Sequence, residues 1–169
     1  MTYGVVEFNH VAAQKTGQIK AQLPASEDLA TEVGNVLENG MFLVYDEVAG
    51  KVRLPASGDE AKNIMLHKSA EKLYDKYANE LGDFYLDLTS GVYPRMYKMN
   101  TADTFTLSEA CLQEAVSTLT AGDLLYVDID NAGAKLTSAD GTNNVAVVKV
   151  VKATTAPNGV DPAVKVEVL

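Results

Sequence analysis

The sequence predicts a mainly β protein, a β-barrel or sandwich with one or two short helices and an extended N-terminal arm. Three observations carry that expectation. Short apolar and β-branched runs recur along the chain, Gly-containing turn dipeptides separate several of them, and the last third holds three such runs in succession. The 169 residues are enough for one domain with a substantial core. A composition of 47% hydrophobic and 22% charged residues is that of a folded globular chain.

Taken in order, residues 3–8 (Tyr3, Gly4, Val5, Val6, Glu7, Phe8) have strand-forming composition, and Ile19 to Leu23 alternates apolar with polar. The polar stretch Gln14, Lys15, Thr16, Gly17 lies between them, so residues 1–24 are expected as an extended arm. Residues 25–169 are expected as a single β-rich domain. The acidic stretch 25–33 suits a short helical turn or a loop. Asn39-Gly40 is a strong turn dipeptide, Met41 to Tyr45 is an apolar run suited to a buried strand, and Ala49-Gly50 gives a second turn. Val52 and Leu54 then alternate with Lys51 and Arg53 up to Pro55, which completes a hairpin. A further strand is expected at Ile64 to Leu66.

Leu73, Tyr77 and Leu81 repeat at helical spacing, with Ser69 to cap and Gly82 to stop, and predict a helix over 69–81. The Thr106-x-x-Glu109 box, followed by Leu112, Val116, Leu119 and then Gly122, predicts a second. Between them, Phe84 to Leu88 and Tyr93 to Met99 read as strands. The final runs are Leu124 to Ile129, Val145 to Val151 and Val164 to Leu169. One pattern occurs twice. A Gly-opened strand, an acidic turn and an outgoing strand appear at Gly40–Leu54 and again at Gly122–Leu136. Two related hairpin units, around 36–68 and 119–152, follow from this, by duplication or by convergent turn chemistry.

A net charge of −9 without a basic stripe argues against nucleic acid as a partner, because phosphate binding depends on clustered Lys and Arg. The N-terminus lacks a basic segment followed by an apolar stretch, and no apolar run approaches membrane-spanning length, so neither a signal peptide nor a membrane partner is expected. Cys111 is the only cysteine and sits among Ala110, Leu112 and Ala115, which suits a small core residue. His10 and His67 stand outside any metal or triad motif and read as surface or edge histidines. Ser69-Ala-Glu-Lys72 matches the S-x-x-K nucleophile pattern, without its companion motifs in the right order. Asp128-x-Asp130-Asn131-Ala132-Gly133 suggests a calcium loop, but Ala132 and Ala139 stand where oxygen ligands belong. A polar turn fits it better. No glycine-rich phosphate cradle occurs, and no catalytic residue, cofactor or metal is expected.

Tyrosine outnumbers phenylalanine, eight to four, and its rings concentrate in the middle of the chain, where they suit either an interface or a core rim. Residues 1–17, 39–55 and 94–106, with the features MTYGVVEF, GMFLVYDEVAGKVRLPA and PRMYKMNTADTFTLSE, resemble small structural proteins of tailed bacteriophages. The likeness is to capsid decoration or head-stabilising proteins. It implies a non-enzymatic virion protein, made in the host cytoplasm, that binds the major capsid protein or other virion proteins and forms a homo-oligomer. Its arm would add a strand to an exposed sheet edge. The residues expected at the assembly interface are Tyr3, Val5, Val6, Phe8, Tyr93 and Tyr97. A receptor- or carbohydrate-binding module on a phage fibre or tail is the alternative. A small hydrolase or deaminase, with a pocket lined by His67 and nearby carboxylates, is the third reading.

Overall fold

The computed structural model describes residues 4–10, 18–59, 63–69, 85–129, 135–156 and 159–169. In chain order its elements begin with strands β1 (Val6–His10) and β2 (Ile19–Lys20), helix α1 (Glu27–Glu32), β3 (Val36–Glu38), β4 (Phe42–Asp46), β5 (Lys51–Arg53) and β6 (Ile64–His67). They continue with β7 (Tyr85–Asp87), β8 (Met96–Tyr97), β9 (Thr104–Ser108), β10 (Leu124–Val127), β11 (Leu136–Thr137), β12 (Val145–Thr155) and β13 (Pro162–Val168). The strands form a six-stranded sheet ordered β1-β9-β13-β12-β10-β11, a five-stranded sheet ordered β2-β8-β6-β4-β5, and the pair β3-β7. All pairings between these strands are antiparallel. The sheets stack as a sandwich and do not close into a barrel.

The five-stranded sheet lies in the middle. Phe42, Val44, Ile64, Leu66 and Tyr97 point from one of its faces into a core shared with Phe105, Leu107, Leu125, Val148, Val150, Val164 and Val166 of the six-stranded sheet. Leu43, Val52, Met65 and Met96 point from the other face into a second core, closed by Leu29 of α1 and Leu37 of β3. A strand buried on both faces must be apolar at successive positions rather than alternate ones. That is why Phe42-Leu43-Val44 and Ile64-Met65-Leu66 run without a polar break. Burial of each such side chain contributes about 1.5–3 kcal/mol.

The two larger sheets have the same strand order. Taken along the chain, the strands of the middle sheet lie 1-5-4-2-3, and so do β9, β13, β12, β10 and β11. Hydrogen bonds match as well. Gly40 N–H donates to the His67 carbonyl (2.9 Å) and His67 N–H to the Met41 carbonyl (2.8 Å). Gly122 N–H likewise donates to the Val150 carbonyl (2.9 Å), and Val150 N–H to that of Asp123 (2.8 Å). The outer strand of each hairpin also takes one parallel bridge from an upstream residue, Val52 from Ala25 and Leu136 from Leu112. The hairpin units at 36–68 and 119–152 therefore occupy equivalent places in two sheets, stacked with the back of the first on the front of the second.

Of the N-terminal residues, β1 is laid along β9 as an edge strand of the six-stranded sheet, Val6 opposite Leu107 and Phe8 opposite Phe105. β2 is the edge of the middle sheet, paired with β8. Residues 5–10 and 19–20 are thus parts of the sandwich rather than a tether hanging from it. The acidic stretch after Pro24 forms α1, with Ser26 Oγ accepting from Leu29 N–H at its start. The helix expected from the Thr106 box is a correction. Thr106 sits mid-strand, paired with both Glu7 and Lys165, and only short 3-10 turns follow, at Glu109–Cys111 and Val116–Thr118. The Glu109 carboxylate accepts from Val116 N–H (2.7 Å) instead of reaching back to cap a helix. Leu112, Val116 and Leu119 are buried all the same. The helix expected over 69–81 falls, after Ser69, outside the described residues.

Two glycines separate tight packing from mere turn geometry. A Cβ on Gly40, at φ +87°, would stand 2.4 Å from the Cys111 sulfur, whereas one on Gly50, at φ +68°, would meet nothing within 4 Å. Gly50→Ala is expected to cost about 1–2 kcal/mol, from its left-handed backbone alone. Gly40→Ala adds the clash and is expected to cost roughly 2–5 kcal/mol. Chemical unfolding of the two variants measures the difference, and equal losses would contradict the contact.

Candidate functional site

The expected interface residues do not lie together on the surface. Tyr3 lies outside the described residues. Val5 and Val6 are buried, with Val6 in the core shared by the two larger sheets. Tyr97 is buried too, and Phe8 packs edge-on against its ring with centroids 4.9 Å apart. These side chains hold the N-terminal strand to the sandwich, so they are spent on the chain's own fold. Tyr93 alone of the described set is well exposed, at 48%, beside Val92 at 55%. The two line a small cleft of about 120 Å³ with Pro24, Ala25, Ala30 and Leu88.

A polar junction that composition did not suggest lies at the end of β6. His67, expected at the surface or an edge, is 0% exposed. Its Nδ1 lies 2.8 Å from the Glu38 carbonyl and its Nε2 lies 2.8 Å from Ser69 Oγ. A carbonyl can only accept, so Nδ1 carries the proton, Nε2 is the acceptor and the Ser69 hydroxyl donates. Ser69 N–H donates to Asn39 Oδ1 (2.8 Å), while Asn39 Nδ2 is buried with no partner. Strand alternation brings His67 and Ser69 to one side, two residues apart.

The junction has a hydroxyl on an imidazole and a carbonyl orienting that imidazole, two parts of a nucleophile–base arrangement. Burial pushes the His67 pKa down to about 4, against a smaller upward pull from the Glu38 carbonyl. A base that weak is mismatched to proton abstraction near neutral pH. Neither His67 nor Ser69 lines the Tyr93 cleft or the larger cavity at the sandwich mouth, whose walls include Phe42, Lys98 and Val147. The geometry is that of a clasp joining β3, β6 and the segment after it. Next to it, Cys111 packs against the carbonyls of Val5 and Asn39 at 3.7 Å each, and burial pushes its thiol up to about 12. It is therefore not a thiolate near neutral pH.

A second polar group closes the β4–β5 turn. Asp46 accepts from the N–H groups of Val48 and Ala49, and Arg53 bridges Asp46 (3.0 Å) and Asp59 (2.7 and 2.9 Å). The Ala49 N–H and the Arg53 side chain hold Asp46 below the usual carboxylate range, and Arg53 does the same for Asp59. Among the described residues, no group of three or more His, Cys, Asp or Glu is placed to hold a metal ion. Among them, too, no helix is long and apolar enough to cross a membrane. The calcium-like segment is described only up to Ile129 and from Lys135.

Neither a protein-family model nor a curated protein matches the chain.

The clasp has a measurable pH signature. His67 is neutral when folded, with a pKa of about 4, and regains its ordinary value of about 6.5 when unfolded. Between these values the unfolded chain binds the extra proton, so stability is whole above pH 6.5 and falls as pH drops toward 4. The loss from this residue is expected to reach about 3 kcal/mol. Asp46 and Asp59 add theirs only below the ordinary carboxylate range. Unfolding midpoints measured from pH 7 to 4.5 should fall steeply for the native chain and less steeply for His67→Gln. Equal slopes would refute the assignment.

Proposed function

We propose that this chain is an auxiliary structural protein of a tailed-phage virion, a decoration or cement protein that stabilises the head by binding the major capsid protein. The observation carrying this reading is β1. It is the N-terminal strand, it closes one side of the six-stranded sheet, and among the described residues it pairs with β9 alone. A strand paired on one side offers main-chain donors and acceptors to an incoming strand, and strand addition is a recurrent way of joining subunits. The sandwich behind it gives that edge a rigid backing, because Val6 and Phe8 are anchored on Phe105, Leu107 and Tyr97. The resemblance of the N-terminal, hairpin and 94–106 segments to phage head proteins supports the same role, as does the acidic, cysteine-poor composition.

The buried positions of Val5 and Val6 determine how this is tested. Removing residues 1–22 would strip core side chains and the edge strands of both larger sheets, β1 and β2, and so confound assembly with folding. The full chain should instead be mixed with shells of the capsid protein from the same virion and sedimented. The chain is expected to travel with the shells, and amide hydrogen exchange across Val6–His10 is expected to slow by about ten-fold or more. A chain left at the top of the gradient, or bound with unchanged exchange in β1, would overturn the proposal.

A further inference from the structure

The front-to-back stacking of the two sheets leaves two unlike poles on the molecule. At one pole lies the outer face of the six-stranded sheet. Its counterpart on the middle sheet, with Phe42 and Val44, is covered by a neighbouring sheet, whereas here the equivalent positions, Leu124 and Tyr126, face outward. Leu124 is 39% exposed. Beside them Lys152 and Lys165 stand directly opposite one another on β12 and β13. Like charges facing across a strand pair repel. Among the described residues, the carboxylate paired to a lysine on this face is Glu167, which bonds Lys149 (3.4 Å), and Glu7 is separated from Lys165 by β9. In a chain of net charge −9, two lysines left facing each other form a local surplus that an acidic surface would relieve.

The opposite pole supplies such a surface. α1 covers the far face of the middle sheet through Leu29, and its exposed side carries Glu27, Asp28 and Glu32 with no basic residue in its last turn. Val92 and Tyr93 project beside it, giving this pole an apolar element to set against Leu124 and Tyr126.

We propose that copies of this chain associate front to back, the α1 and Tyr93 pole of one seated on the Lys152–Lys165 face of the next. This repeats between chains the stacking that joins the two sheets within one. The contact uses different surfaces on its two sides, so it builds rings or open stacks rather than closed two-fold dimers. It concerns contacts between copies and is measured without any capsid protein, so its outcome is separate from that of the strand-edge reading.

Sedimentation velocity of the full chain is expected to reveal self-association at low salt that weakens as ionic strength rises. Lys152→Glu with Lys165→Glu, and separately Asp28→Lys with Glu32→Lys, should each weaken it by about ten-fold or more. An equimolar mixture of the two double variants should associate again, because each then meets its opposite charge. All four positions lie outside the two cores, and circular dichroism verifies that the variants fold. A chain that is monomeric at low salt would overturn the proposal, as would association indifferent to both charge reversals or variants that fail to recombine.

Discussion

The architecture depends on a sheet whose central strands, β4 and β6, have a core on either face. Phe42, Val44, Ile64 and Leu66 are committed to one core and Leu43, Val52, Met65 and Met96 to the other, so each core holds the sheet against the other. A one-residue slip of β4 against its neighbours would exchange the two sets and mismatch both cores together. Register in this sheet is therefore specified twice. The outer sheet is specified once, because its far face carries Lys149, Lys165 and Glu167, side chains that tolerate water.

The junction where Gly4, Gly40, Asn39, His67 and Cys111 converge ties the start of β4 and the end of β6 to the N-terminal strand. A Cβ on Gly4 would stand 2.1 Å from the Asn39 carbonyl oxygen, so the backbone there is in contact with backbone. The polar atoms at such a place need partners, since a buried unpaired group costs about 1–3 kcal/mol. His67 and Ser69 answer most of that demand by bonding one another, a carbonyl and an amide. A histidine kept neutral by burial is thus a structural element, and it makes this junction sensitive to acid.

How much of this was legible depended on the range of the interactions. The hairpin β4–β5, its Asn39-Gly40 entry and the three C-terminal strands follow from local turn chemistry and β-branched runs, and they lie where the pattern placed them. The apolar run from Met41 likewise announced a buried strand, which the two cores cover on both faces. Local reading failed where a distant partner decided the outcome. Thr106-x-x-Glu109 has the spacing of a helix cap, yet β1, from about a hundred residues upstream, and β13, from the far end of the chain, claim Thr106 for a sheet. His67 looked peripheral because Leu66-His67-Lys68 resembles a strand running out to solvent, and nothing nearby reveals that Glu38 and Asn39 meet it. Among the interface residues, composition marked Val5, Val6 and Phe8 as apolar on an extended strand. It could not say whether that strand would mate with this chain or with another.

The packing around Cys111 has a consequence for the history of each molecule. The sulfur is pressed between the Val5 and Asn39 carbonyls and the Ser108 hydroxyl, with the Gly40 backbone too near even for a methyl group. Adding an oxygen atom or an alkyl label there requires the junction to open. An oxidised or labelled Cys111 in recovered protein would accordingly be a lasting mark that the molecule carrying it had at some time come apart, even after it had refolded as far as the added group allows.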